Sequence, residues 1–188
     1  MMLDEILQNR RSIRNYQDKP VSLVTIRSII KDSTLAPSAG NEQPWKYLVV
    51  SNKAMLDRIS DECRQNFIKR IAANPGDPAK KYEKMLQNES FHIFYHAPAV
   101  VFIMGETNVK NLVADCSLAA CYFMFLATSK GLGTCWVNFA TAISNPELRN
   151  ELGIPANLKI VAPLALGYPK KIPAIHPRKK PHILNVIE

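Results

Sequence analysis

Apolar residues recur at helical spacing in some stretches of this chain and run almost unbroken in others, and the two patterns predict different elements. Leu3, Ile6 and Leu7 share one side of a short helix over residues 2–8. Pro20-Val21-Ser22 opens a second helix, with Ser22 as its N-cap and Leu23, Ile26, Ile29 and Ile30 as its apolar face. Leu56, Ile59 and Cys63 have inward-facing spacing in a helix over 53–67, and residues 82–95 predict further helix. Residues 46–50, 98–104, 135–139 and 159–166 read instead as strands, and 98–104 is apolar enough to be a central strand covered on both faces. A long helix over 108–130 is stopped by Gly131. Ser144-Asn145-Pro146-Glu147 has capping-box spacing before a short helix that Gly153 ends. Residues 36–41 are a loop, and Asn74-Pro75-Gly76-Asp77-Pro78 is a strong turn signal inside a polar stretch expected to be mobile. Strands separated by helices indicate an α/β or α+β sandwich.

Residues 112–126 are apolar almost all the way round, interrupted only by Asp115. A helix apolar on every side must be buried on every side. One sheet covers one side, so the expectation is a homodimer with this helix in its core; the other reading is a central helix within one monomer. The run falls short of the roughly 20 apolar residues that span a bilayer, so no membrane partner is expected. The 188 residues suit one domain over 1–188. Residues 1–14 offer only a short apolar stretch with early charges, unlike a secretory signal. Cys63, Cys116, Cys121 and Cys135 sit among apolar neighbours with no CxxC pair, which suits reduced core thiols and a cytoplasmic location.

Charge changes the picture at the two ends. Of the net +8, Arg10, Arg11, Arg14 and Lys19 against Asp18 hold a surplus of three, and Lys170, Lys171, Arg178, Lys179 and Lys180 against Glu188 a surplus of four. Three readings are open: a nucleic-acid patch, two ends converging on one small anion, or solvated basic faces. The basic segments lack interleaved aromatics and any known binding module, which counts against nucleic acid. Within Arg10-Arg11-Ser12-Ile13-Arg14, guanidinium and hydroxyl groups match phosphate oxygens. In an extended segment Arg10, Ser12 and Arg14 face one way and Ile13 the other.

Other motifs add donors. Ser38, Asn41 and Gln43 in Ala36-Pro37-Ser38-Ala39-Gly40-Asn41-Glu42-Gln43-Pro44-Trp45 offer hydrogen bonds. Gly131-Leu132-Gly133-Thr134-Cys135-Trp136 can expose backbone N–H groups to an anion or a heterocycle edge. It is no GxGxxG fingerprint and follows a helix, so a Rossmann reading fails, and no P-loop occurs. His92 and His96 have i, i+4 spacing without HExxH, and ordinary polar side chains are expected there in place of a metal site.

The order of these segments resembles the nitroreductase family, in its short single-domain form. Arg-Arg-Ser-Ile-Arg-x-Tyr comes first, then Ala-Pro-Ser-Ala-x-Asn-x-Gln-Pro-Trp. A long apolar helix into Gly-Leu-Gly-Thr-Cys-Trp, Leu-Gly-Tyr-Pro at 166–169 and a basic tail follow. The similarity covers nearly the whole chain except about residues 66–90, and His96 stands before Ala97-Pro98 where many relatives have a small residue. The resemblance implies an α+β, three-layer α/β/α sandwich with a mostly antiparallel sheet, forming a domain-exchanged homodimer with FMN at the interface. It implies that Arg10, Arg11 and Ser12 hold the phosphate and ribityl chain and that Arg14 approaches the pyrimidine edge. Arg178 and Lys179 would complete the phosphate cage, and Pro37, Ser38 and Asn41 would come from the partner subunit. The Leu132-Gly133-Thr134 backbone would border the ring. It further implies hydride transfer from NADH or NADPH through flavin N5 to a nitroaromatic, quinone or similar acceptor, with no catalytic side chain required. Dehalogenating or flavin-fragmenting relatives supply the alternative.

Overall fold

The computed structural model describes residues 2–188. Its sheet has four strands, β1 (Lys46–Val50), β2 (Ala99–Glu106), β3 (Gly133–Trp136) and β4 (Leu158–Gly167), in the order β1-β2-β4-β3. Every pairing is antiparallel. Helices α1 (Leu3–Asn9), α2 (Leu23–Ser33), α3 (Lys53–Ala73), α4 (Glu83–Gln87), α5 (Leu112–Ser129) and α6 (Pro146–Glu151) complete the regular structure.

Alternation along β2 divides the core between two faces. Val100, Phe102 and Met104 join Leu56, Ile59 and Cys63 of α3 on one side. Ala99, Val101 and Ile103 join Ile26 and Ile29 of α2 and the inner face of α5 on the other. The period of two in a strand sends neighbours to opposite faces, which is why an uninterrupted apolar run was needed here. The result is the expected three layers, with the sheet in the middle.

Most elements match the sequence reading, and the exceptions have physical causes. Ser22 caps α2 by accepting from Thr25 N–H at 3.1 Å, but Leu23, expected on the apolar face, is half exposed. Asn145, not Ser144, caps α6, accepting from Leu148 N–H at 2.9 Å. The strand expected over 135–139 starts at Gly133 and stops at Trp136; Val137 N–H still reaches Pro163 O at 2.8 Å before a 3-10 turn takes over. Residues 82–95 are not one helix. α4 is short, and Tyr95 and His96 adopt positive φ of 56° and 55°, which a helix cannot contain.

The stretch after α3 is stitched down instead of loose. α3 itself continues to Ala73, and Arg64, 8% exposed, donates to Asn88 O at 3.1 Å. Arg70 pairs with Asp77 at 2.8 Å, and Ala79 and Leu86 are buried beside Phe67 and Ile71. The Ala79 amide donates to Asp77 at 2.7 Å, and this bond together with Arg70 holds the Asp77 carboxyl below the usual carboxylate range. A depressed folded pKa stabilises the fold above the unfolded value, about 3.9, and that contribution is lost as pH falls through the folded value. The wild type should therefore melt above Asp77→Asn at about pH 7, and the gap should close as pH is lowered from about 5 to 3. Thermal scans showing a pH-independent gap would contradict this.

Two surfaces have no cover within the chain. The inner side of α5, with Leu112, Cys116, Ala119, Ala120, Phe123 and Ala127, lies on the sheet. Its outer side leaves Val113, Leu118 and Tyr122 exposed at 52%, 41% and 39%, with α1 and its exposed Leu3 and Leu7 alongside. Beyond Lys170 the chain forms no helix or strand, and Ile172, Ile175, Ile183, Leu184, Val186 and Ile187 are all exposed.

Candidate functional site

The Arg10–Tyr16 segment runs extended along the edge of β3 and the end of β4. Ile13 N–H donates to Thr134 O at 2.9 Å, Ser12 bridges Thr134, and Tyr16 bridges Pro169. Lys170 N–H closes on Asn15 O at 2.9 Å. Ile13 is buried on one side, as the alternation required. Burial pushes the Cys135 thiol up, against a smaller lowering by Arg14 and Arg10. Arg11 shares a cavity of about 200 Å³ with Ile13, Leu132, Gly133 and Pro169.

Glycine is required at Gly133. A Cβ there would lie 2.8 Å from Ile13 Cβ and 3.0 Å from Pro169 Cγ, and would collide with Ile13 Cγ1. The close approach leaves polar atoms without partners at this joint. Arg11 Nε and Thr134 Oγ1 are buried and make no hydrogen bond among the described residues. Thr134 is 1% exposed. Burial pushes the neighbouring Tyr95 phenol up while Arg14, 5.7 Å from its ring centre, pulls it down.

Pro37, Ser38 and Asn41 lie elsewhere. Their loop is held by Asp115 at the start of α5, whose Oδ1 accepts from Ala39 N–H at 3.1 Å. Ser38 Oγ accepts from Gln43 N–H at 3.0 Å, and Asn41 Oδ1 from the Gln43 amide at 3.0 Å. Asn41 and Gln43 both have positive φ, 57° and 48°, a conformation that clusters at functional sites. Asp115 is 3% exposed, with Oδ2 unpartnered. The loop sits at one end of α5 and Leu132–Thr134 follow the other, so roughly 20 Å of helix separates them within one chain. Asp115 was missed as a site residue, although a lone carboxylate inside an apolar helix was its visible signal.

Arg178 and Lys179 are exposed in the tail and make no ion pair among the described residues. His92 and His96 meet through a turn, not a helix. Their rings lie 4.6 Å apart, and His92 Nε2 is 3.3 Å from Asp57. The Phe94 amide donates to His92 Nδ1 at 3.2 Å, which puts the neutral ring's proton on Nε2, facing the Asp57 carboxylate. Burial and His96 push the His92 pKa down.

The model of the nitroreductase family matches residues 7–168. The chain belongs to the nitroreductase family. A relative from Archaeoglobus fulgidus, whose inferred name is NADH dehydrogenase/NAD(P)H nitroreductase, is 31% identical over 172 residues, covering 88% of this chain and 84% of that one. Iodotyrosine deiodinase 1 of Sus scrofa is 28% identical over 179 residues, 89% of this chain, which spans 61% of the deiodinase. A nitroreductase of Bacteroides fragilis solved with bound FMN superposes over 100% of both chains with a TM-score of 0.83 at 25% identity. This chain therefore has a nitroreductase-like α+β fold, with all four strands antiparallel.

Proposed function

We propose that this chain binds FMN and acts as an oxidoreductase that takes reducing equivalents from NADH or NADPH and passes them to a nitroaromatic, quinone or similar small acceptor. The observation that carries this reading is the pair of unpartnered buried atoms, Arg11 Nε and Thr134 Oγ1, on the two segments joined at Gly133. An unpartnered buried polar group costs about 1–3 kcal/mol, which a bound ligand can recover. The residues fit the cofactor. Arg10, Arg11 and Ser12 offer the donors a phosphate and ribityl chain need, and the Leu132–Thr134 backbone offers a polar edge at close range. The Bacteroides fragilis nitroreductase with FMN supports the same assignment.

When bound, FMN supplies hydride transfer between a reduced nicotinamide and the acceptor. The chain's own residues bind and orient. Arg14, beside Tyr95 and Cys135, carries positive charge that favours an anionic reduced ring, and no side chain is needed as acid or base.

A second subunit completes the site in this proposal. Two copies related by a two-fold axis, with their α5 helices antiparallel, would set the Pro37–Asn41 loop of one beside Leu132–Thr134 of the other. That arrangement would cover Val113, Leu118 and Tyr122, exposed in the single chain, and give the apolar tail a surface to cross, carrying Arg178 and Lys179 to a phosphate. The likeness to iodotyrosine deiodinase favours one other reaction on this scaffold, reductive removal of an aromatic halogen. Purified protein should be yellow, release FMN on denaturation and bleach with NADH or NADPH under anaerobic conditions. A protein that stays colourless after incubation with FMN would overturn the reading.

A further inference from the structure

A cavity of about 600 Å³ opens between the end of α3, the segment before α4 and the residues after β3, and Arg14 stands on its wall. One part of its lining is aromatic. Phe67 and Phe139 meet edge-to-face with centroids 5.0 Å apart, Tyr82 meets Phe139 at 5.5 Å, and Tyr95 and Trp136 continue the wall. Such a lining receives a flat ring on its face or edge.

The other part is cationic. Arg14, Arg70 and Lys81 line the cavity, and no carboxylate does. Arg70 is neutralised by Asp77 at 2.8 Å and lies over the Phe67 ring at 4.1 Å. Lys81 has no ion-pair partner among the described residues, and its ammonium rests 5.1 Å from the Tyr82 ring centre. Arg14 is likewise held by a ring, not by a carboxylate. The cleft therefore offers aromatic surface with two uncompensated positive charges. An anionic substituent is the complement of that field, whereas a cationic ligand would be repelled.

We infer that the acceptor is a planar aromatic compound bearing an anionic group, such as a nitroarene carboxylate, and that Lys81 selects for the anion. This rests on the oxidoreductase reading above and names its substrate class. For a nitroarene, the nitro group gains two electrons and two protons and loses one oxygen as water, leaving a nitroso group. NAD(P)H is oxidised to NAD(P)+, giving up a hydride, and solvent supplies the second proton.

The test compares 4-nitrobenzoate with its neutral counterpart 4-nitrobenzamide. Calorimetry on the oxidised holoprotein without donor reads binding, and steady-state kinetics with donor and acceptor varied in turn read turnover and both KM values. At low ionic strength 4-nitrobenzoate should bind about fivefold more tightly, and Lys81→Gln should cut that preference to about twofold. Lys81→Arg should keep it, and the KM for the donor should not move. Equal binding of the two compounds, a preference left at its full size by Lys81→Gln, or an effect on the donor KM would overturn the inference. A protein that takes up no flavin and reduces neither compound would instead defeat the oxidoreductase reading, and the same calorimetry run on that flavin-free protein would still decide the charge preference.

Discussion

Replacing Gly133 by alanine should unseat the N-terminal basic segment from β3 and release the flavin. The added Cβ would meet Ile13 Cβ at 2.8 Å and Pro169 Cγ at 3.0 Å, from two directions at once. Neither neighbour can yield cheaply. Ile13 is β-branched and 3% exposed, and Pro169 is tied by the Tyr16 bridge. Overpacking of this kind costs about 1–3 kcal/mol, or roughly 2–12 °C in thermal midpoint for a chain of this size. The function should suffer more than the stability. The Ile13–Thr134 bond, 2.9 Å long, fixes the register of Arg11 and Ser12 against Thr134, so FMN affinity should fall by at least about tenfold, as losing a contact that orients the binding groups does. FMN titration of the apoprotein and a melting scan give both numbers. Unchanged affinity would show that this joint does not position the site.

Leu118→Asp should split the proposed dimer and empty both of its sites. Leu118 is 41% exposed on the outer side of α5, one turn from Tyr122, and does not support the sheet. In a monomer the substitution costs almost nothing, because the carboxylate stays in water. In the centre of a two-fold interface it appears twice, face to face, and each copy must be desolvated. Light scattering should show the mass halved with circular dichroism unchanged, and the visible spectrum should lose its flavin bands. A variant that stays dimeric and yellow would place the interface elsewhere.

The architecture was legible in the sequence wherever the signal was local. The Ser22 cap, β1 at Lys46–Val50 and the all-round apolarity of α5 needed only neighbouring residues to read. The burial of Ile13 inside a basic segment was legible as well, since an apolar residue in an extended run turns to the core. Contacts between distant residues were not legible. The pairing of Arg70 with Asp77 and of Arg64 with Asn88 turned an expected mobile stretch into a packed wall with Lys81 and Tyr82 on it. Residues 82–95 read as helix, whereas positive φ at Tyr95 and His96 carries the chain through a turn that no local pattern announces. The site was half visible. Motifs named both parts of the proposed site, and the length of α5, which holds them apart within one chain, is what makes the proposal call on a second subunit.

Hybrid dimers test that last point most directly. One chain would carry Arg11→Ala and Ser12→Ala, the other Ser38→Ala and Asn41→Ala, each with a different affinity tag so that only the mixed species is recovered. If each site draws on both subunits, one site in the hybrid combines all four substitutions and the other has none. The hybrid should then hold about one FMN per dimer, while each parent homodimer binds weakly at both sites. A hybrid whose two sites are both impaired, each like one of the parents, would mean that the flavin site lies within a single chain.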